Sequence, residues 1–146
     1  MNILKKIINQ PKKVRPKKMF LYDRLHEILG TLPRVNRCLD IGSGRGDLYT
    51  KINSKEYIGI DIDEEVLNDA KKKFPEVDFR FKNFKNIDVN DYKSDLIICI
   101  QVIGFNSNFD DTFKNNLENF FHKLFKTLNN QGLLLISIND EMYKEV

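Results

Sequence analysis

The sequence predicts an α/β domain, three layers deep, around a doubly wound, mainly parallel sheet of about five strands. Three observations lead there. Short apolar runs that read as buried strands alternate with amphipathic helical segments. A glycine-rich turn follows the first strand, and 146 residues suit one hydrophobic core. Hydrophobic residues at 41% and charged residues at 31% fit a folded domain better than a disordered chain.

The elements follow in order. Met19 to Leu29 places Phe20, Leu21, Leu25, Ile28 and Leu29 on one helical face, with Gly30 as a stop. Thr31 to Asn36 connects to a first strand, Cys38 to Ile41, which enters the glycine turn of Gly42, Gly44 and Gly46. Asp47 to Ile52 reads as a short helix. Tyr57 to Asp61 is a second buried strand that ends on an acid. Asp63 to Phe74 is a helix with Asp63, Glu64 and Glu65 in its first turn and Lys71, Lys72 and Lys73 in its last, the charge order that complements the helix dipole. Pro75 stops it. Val77 to Phe81 alternates and reads as a third strand near a sheet edge. Asp95 to Val102 is a fourth, apolar on both faces from Leu96 to Ile100 and so in need of cover on both sides. Asp110 to Leu128 is a helix whose inner stripe is Phe113, Leu117, Phe120, Phe121, Leu124 and Leu128. Asn129 to Gly132 reads as a turn into a fifth strand, Leu133 to Ile138.

Charge divides the chain into a basic leader, residues 1–18, and a domain, residues 19–146. Seven of the 24 basic side chains and none of the 21 acidic ones lie in the leader, so the domain is net acidic despite an overall +3. Pro11 and Pro16 preclude one continuous helix there. Two readings stay open for residues 5–18: contact with the phosphate backbone of RNA, or a solvated tail. The longest apolar run is too short for a bilayer span, and Met1 to Gln10 lacks the sustained apolar region of a secretory signal, so the expected location is cytoplasmic, without membrane contact. Cys38 and Cys99 sit inside predicted strands and read as reduced core thiols, with no metal expected. His26 and His122 read as helix-surface residues.

The chemistry gathers at the C-terminal strand ends, where open α/β sheets bind ligands. Glycines in Asp40-Ile41-Gly42-Ser43-Gly44-Arg45-Gly46 permit a sharp bend and close approach of a ligand to the backbone. Asp61, at the end of the next strand, can accept two hydrogen bonds from vicinal ribose hydroxyls. Together they describe a nucleoside site. A dinucleotide fingerprint wants a third glycine where this chain has Asp47, and an acid there opposes a pyrophosphate. With Asp40, that makes an acidic mouth suited to a positively charged ligand without phosphate.

Asp40 to Gly46 followed by Tyr57-Ile58-Gly59-Ile60-Asp61 resembles the first two motifs of class I S-adenosylmethionine-dependent methyltransferases. Lys82-Asn83-Phe84, Ser94 to Cys99 and Leu128 to Ile136 resemble later segments of that family in the same order, and the likeness covers about residues 20–140. It implies a Rossmann-like sheet of order 3-2-1-4-5 and S-adenosylmethionine as cofactor. Asp40, Gly42 and Gly44 would border the methionine moiety, Asp61 would take the ribose hydroxyls, and Ile62 would pack on adenine. Asn83 would accept from the adenine amino group, Phe84 would offer its backbone N–H to the ring, and Ile100 and Gln101 would face the methyl group.

The implied activity is methyl transfer to an O or N nucleophile of a small molecule, sugar, protein or RNA ribose. The polar-Pro-Pro-aromatic signature of amine methylation on bases and glutamine amides is absent at Ile100 to Phe105, as is a Pro-Cys pair for covalent attack on cytosine. No catalytic base stands out: Asp140, Glu141 and His122 read as structural or exposed. The family's last two strands have no counterpart, so a truncated chain, a minimal domain and completion by a partner or second copy along Leu133 to Ile138 all stay open. The alternative function is a non-catalytic module of the same fold that recognises RNA or a partner protein through the leader.

Overall fold

The computed structural model describes residues 17–103 and 111–138, and side chains within 24–102 and 115–137. Most of the leader, residues 104–110, Asp140 and Glu141 therefore lie outside the described residues, as does the expectation of an RNA contact. Helix α1 (Lys17–Thr31) leads into β1 (Val35–Ile41), then β2 (Ser54–Asp61), α2 (Glu64–Lys73), β3 (Asp78–Phe81), β4 (Ser94–Ile103), α3 (Asp111–Thr127) and β5 (Leu128–Ile138). The sheet order is β3-β2-β1-β4-β5. Every neighbouring pair is parallel, as the alternation of strands and helices dictates.

Period-two alternation sends side chains to both faces, and each face has its own core. Leu39, Ile41, Ile58, Ile60, Ile97 and Cys99 point toward α3, where Leu124 is buried and Leu117, Phe120 and Phe121 pack against them. Cys38, Tyr57, Leu96 and Ile98 point the other way, onto Leu25 and Leu29 of α1 and Leu67 and Ala70 of α2. The two cysteines are free, buried and on opposite faces, in accord with core thiols. Burial pushes both thiols well up, Cys99 to about 12, so both stay protonated.

The structure corrects the sequence reading at two connections. The helix expected over Asp47 to Ile52 is a single 3-10 turn, Tyr49–Lys51. Gly42, Gly44 and Gly46 all have positive φ and take up the first half of this short crossover, leaving room for one turn before β2 begins. The fifth strand starts at Leu128 rather than Leu133. Ser94 pairs with Leu128 and Leu96 with Leu133, so Asn129 to Gly132 form an irregularity within the strand, with Gln131 at φ 64. Asn129 donates to Asp95 (2.9 Å), a tertiary bond that pins the irregularity and that local turn propensity does not contain. Gly30, expected as a stop, lies inside α1, a shift of the usual size at helix ends.

Among the described residues strand β5 forms one edge of the sheet, and Leu133 is 42% exposed. Among the described residues no helix is long and apolar enough to cross a membrane. None of them forms a group of metal-ligating side chains either.

Candidate functional site

At the C-terminal ends of β1, β2 and β4 the sheet opens into a cavity of about 670 Å³. Its first wall is the glycine turn. Gly42 at φ 73 and Gly44 at φ 53 adopt a backbone conformation that side chains disfavour. Any Cβ on Gly42 would run into the Val102 side chain of β4, so this position also sets how closely β1 approaches β4. The Gly42 and Ser43 N–H groups both donate to the Ile60 carbonyl, at 2.8 and 3.1 Å, and lock the turn onto β2.

Asp61 closes that wall. Its Oδ2 accepts the Gly44 N–H at 2.8 Å and its Oδ1 the Asp63 N–H at 3.0 Å. Each oxygen keeps a further lone pair. Asp63 in turn accepts the Glu65 and Val66 N–H groups as the N-cap of α2, which fixes the chain just beyond the site.

Asp40 lies deeper. It is 2% exposed and accepts a 2.5 Å hydrogen bond from the Tyr57 hydroxyl of β2. Burial, with the nearby charge of Asp61 adding to it, pushes the Asp40 carboxyl up to about 7 even though the Tyr57 bond pulls the other way. None of the ion pairs among the described residues includes Asp40. Beside it, the buried Ser43 hydroxyl has no hydrogen-bond partner among the described residues.

Opposite, Ile62 is 69% exposed at the cavity mouth. Asn83 caps a 3-10 turn, Phe84–Asn86, by accepting the Lys85 N–H at 3.0 Å. The Phe84 ring is buried edge-on against Phe120 of α3, with centroids 5.2 Å apart. At the end of β4 the register with β5 slips between Cys99 and Ile103. There Gln101 has φ 58, and its N–H donates to the Ser137 hydroxyl of β5 at 2.8 Å.

All nine residues singled out from sequence, Asp40, Gly42, Gly44, Asp61, Ile62, Asn83, Phe84, Ile100 and Gln101, line this one cavity. His122 is exposed and is not among its lining residues. Asp47 lines the cavity but belongs to no helix, and its carboxylate meets Lys73 at 3.2 Å. Sequence reasoning missed Tyr57, Ser43 and Val102 as residues that shape the site. The strand register carries the signal for Tyr57: it pairs with Cys38, two residues before Asp40 on the same face. Leu117 and Phe120 of α3 were visible as core residues, but their place on the cavity wall depends on how far the helix reaches along the sheet.

A sequence profile of the family described as "Methyltransferase domain" matches residues 35–145. The chain belongs to this methyltransferase-domain family. The methyltransferase domain is 36% identical over 66 residues to an "uncharacterized methyltransferase-like" protein of Schizosaccharomyces pombe, an alignment covering 43% of this chain and 26% of the relative. The chain thus spans about a quarter of the length of the curated relatives it matches. Its fold is similar to the N-methyltransferase NodS from Bradyrhizobium japonicum WM9, with TM-score 0.70 at 17% identity over 88% of this chain and 74% of that one. The same enzyme in complex with S-adenosyl-L-homocysteine gives TM-score 0.68 at 16% identity, covering 91% of this chain and 69% of that one.

Proposed function

We propose that this methyltransferase domain binds S-adenosylmethionine in the cavity and transfers its methyl group to an O or N nucleophile. The observation that carries the reading is Asp61, a carboxylate clamped by two backbone N–H groups beside a positive-φ glycine turn, with lone pairs left for vicinal hydroxyls. The relative with S-adenosyl-L-homocysteine bound shares the fold and supports the choice of ligand.

The cavity residues fit that ligand. Asp40 is a buried acid that no ion pair among the described residues neutralises, and an ammonium group would supply the missing positive charge. The Ser43 hydroxyl, without a partner among the described residues, offers a further polar contact near the methionine end. Gly42 and Gly44 let the ligand approach the backbone, and the exposed face of Ile62 gives adenine an apolar surface. Asn83 and Phe84 border the adenine end, whereas Ile100 and Gln101 border the methyl end. When bound, the sulfonium supplies a methyl group that is already activated, so the protein's tasks are to hold the acceptor in line and exclude water.

Titration calorimetry tests the reading. S-adenosylmethionine and S-adenosylhomocysteine should both bind, and Asp61→Ala should weaken both about 100-fold, the loss expected for two hydrogen bonds to a charged group. Absence of binding by either ligand, or an Asp61→Ala variant of undiminished affinity, would remove the proposal.

A further inference from the structure

Tyr57 sits at the back of the site, where the cavity chemistry meets the α1 and α2 layer. Its ring is held edge-on by Tyr49, with centroids 5.2 Å apart, and by Phe79 at 6.1 Å. With the ring fixed, its hydroxyl has one place to go, and it donates to Asp40 Oδ2. That bond leaves Oδ1 as the oxygen able to carry a proton or meet a ligand. Burial and the neighbouring Asp40 hold the Tyr57 hydroxyl well above its ordinary range, so it remains a donor throughout the accessible pH range.

The cavity that holds Asp40 is also lined by three cations, Arg45, Lys82 and Lys85, but Arg45 pairs with Asp69 and no ion pair among the described residues joins any of them to Asp40. Cys38 precedes it on β1, Tyr57 and Asp61 face it from β2, Asp47 stands on the turn, and Cys99 lies behind on β4. Asp47 has Lys73 for a partner and Asp61 has two N–H donors, whereas among the described residues the side chain of Asp40 has the phenol alone. A buried carboxyl so placed favours its neutral form until a positive charge arrives.

We infer that Tyr57 is a positioning residue for Asp40 and that the pair makes capture of a cationic ligand proton-linked. As the ligand's ammonium or sulfonium charge enters, the Asp40 carboxyl loses its proton to solvent and becomes the ligand's counter-charge, with Tyr57 still donating to Oδ2. No other bond changes. The inference rests on the reading of the cavity as an S-adenosylmethionine site.

The test is calorimetry with S-adenosylmethionine from pH 5.5 to 9, with paired runs in phosphate and in imidazole buffer around and below pH 7, whose different ionisation heats reveal protons exchanged on binding. Wild-type protein should release a proton below about pH 7, with affinity rising toward about tenfold per pH unit at the acidic end. The ligand's own amino group titrates at about 7.7–8.0, and Asp40→Asn measures that share alone. The variant should show no proton release in the acidic range. Tyr57→Phe keeps the ring packing. It should bind near wild-type strength at pH 9 but move the midpoint about one pH unit upward, because the bond that favours the charged carboxylate is gone.

Binding without proton release in wild-type protein would overturn the inference and leave the functional proposal standing. A Tyr57→Phe variant weakened evenly at every pH would overturn it too, since that is what packing alone produces. If Tyr57→Phe fails to fold by circular dichroism, the contrast between wild type and Asp40→Asn decides the proton linkage. Absence of binding at every pH would sink the functional proposal and this inference together.

Discussion

The two sides of the cavity are built in different ways. On the β1–β2 side, backbone groups do the holding: two N–H groups fasten the glycine turn to Ile60, and two more fix Asp61. On the β4–β5 side the ladder slips its register, Gln101 takes a left-handed backbone conformation, and a side chain, Ser137, secures it. The first side is a regular cradle that presents nearly the same surface whatever the outer residues are. The second is local and irregular, depends on particular side chains, and borders the methyl end of the proposed ligand. A nucleoside common to many enzymes calls for the former construction, and an acceptor particular to one enzyme calls for the latter.

The strongest way to break this division is to join the two sides by force. Gly42→Ala adds a methyl group at φ 73 directly against Val102, combining backbone strain with overpacking. Denaturant unfolding should show a loss of about 4 kcal/mol, with ligand binding abolished in whatever folds. A loss below about 1 kcal/mol would mean that the cradle and β4 are not rigidly spaced.

Acid titration of stability sharpens the picture on the cradle side. Asp40 keeps its proton up to about 7 in the folded protein against an ordinary value of 3.8, so the folded chain binds more protons than the unfolded chain across that window. Stability of the ligand-free protein should therefore fall as pH rises from about 4 to 7, by roughly 3 kcal/mol, and then level off. Asp95 works with the opposite sign below that window, because Asn129 and the Arg37 N–H hold its carboxyl below the usual range. Asp40→Asn should flatten the slope between pH 4 and 7. A wild-type profile already flat there would show Asp40 ionised at no cost.

The smallest effect belongs to the irregular side. Gln101→Gly relieves the left-handed conformation and leaves the N–H donor to Ser137 in place, so thermal unfolding should show a gain of about 1 kcal/mol. A loss of comparable size would mean that the Gln101 side chain contributes packing that outweighs the strain.

The same division governs what the sequence made legible. The strands themselves, the glycine turn, Asp61 and the capped α2 all follow from local rules: apolar alternation, glycine where φ must be positive, and an acid ahead of a helix. The strand order came from the resemblance to a methyltransferase family. Elements that depend on spacing across the sheet were read wrongly or not at all. The segment Asp47 to Ile52 has helical composition but too little chain for a helix between the turn and β2. Leu128 reads as the end of α3 because its apolar period continues the helix stripe, yet pairing with Ser94 draws it into β5. Tyr57 looked like one more apolar strand residue. Only the parallel register, which seats it beside Cys38, places its hydroxyl against Asp40.

The placement of the two cysteines has a consequence for watching this molecule move. Cys38 and Cys99 are both fully buried, one in each layer flanking the sheet, and both stay protonated. A thiol reagent can therefore reach either only through an opening of its own layer. Their separate modification rates time the breathing of the α1 and α2 layer and of the α3 layer. A ligand that stiffens the cavity from one side only would slow one clock and leave the other running.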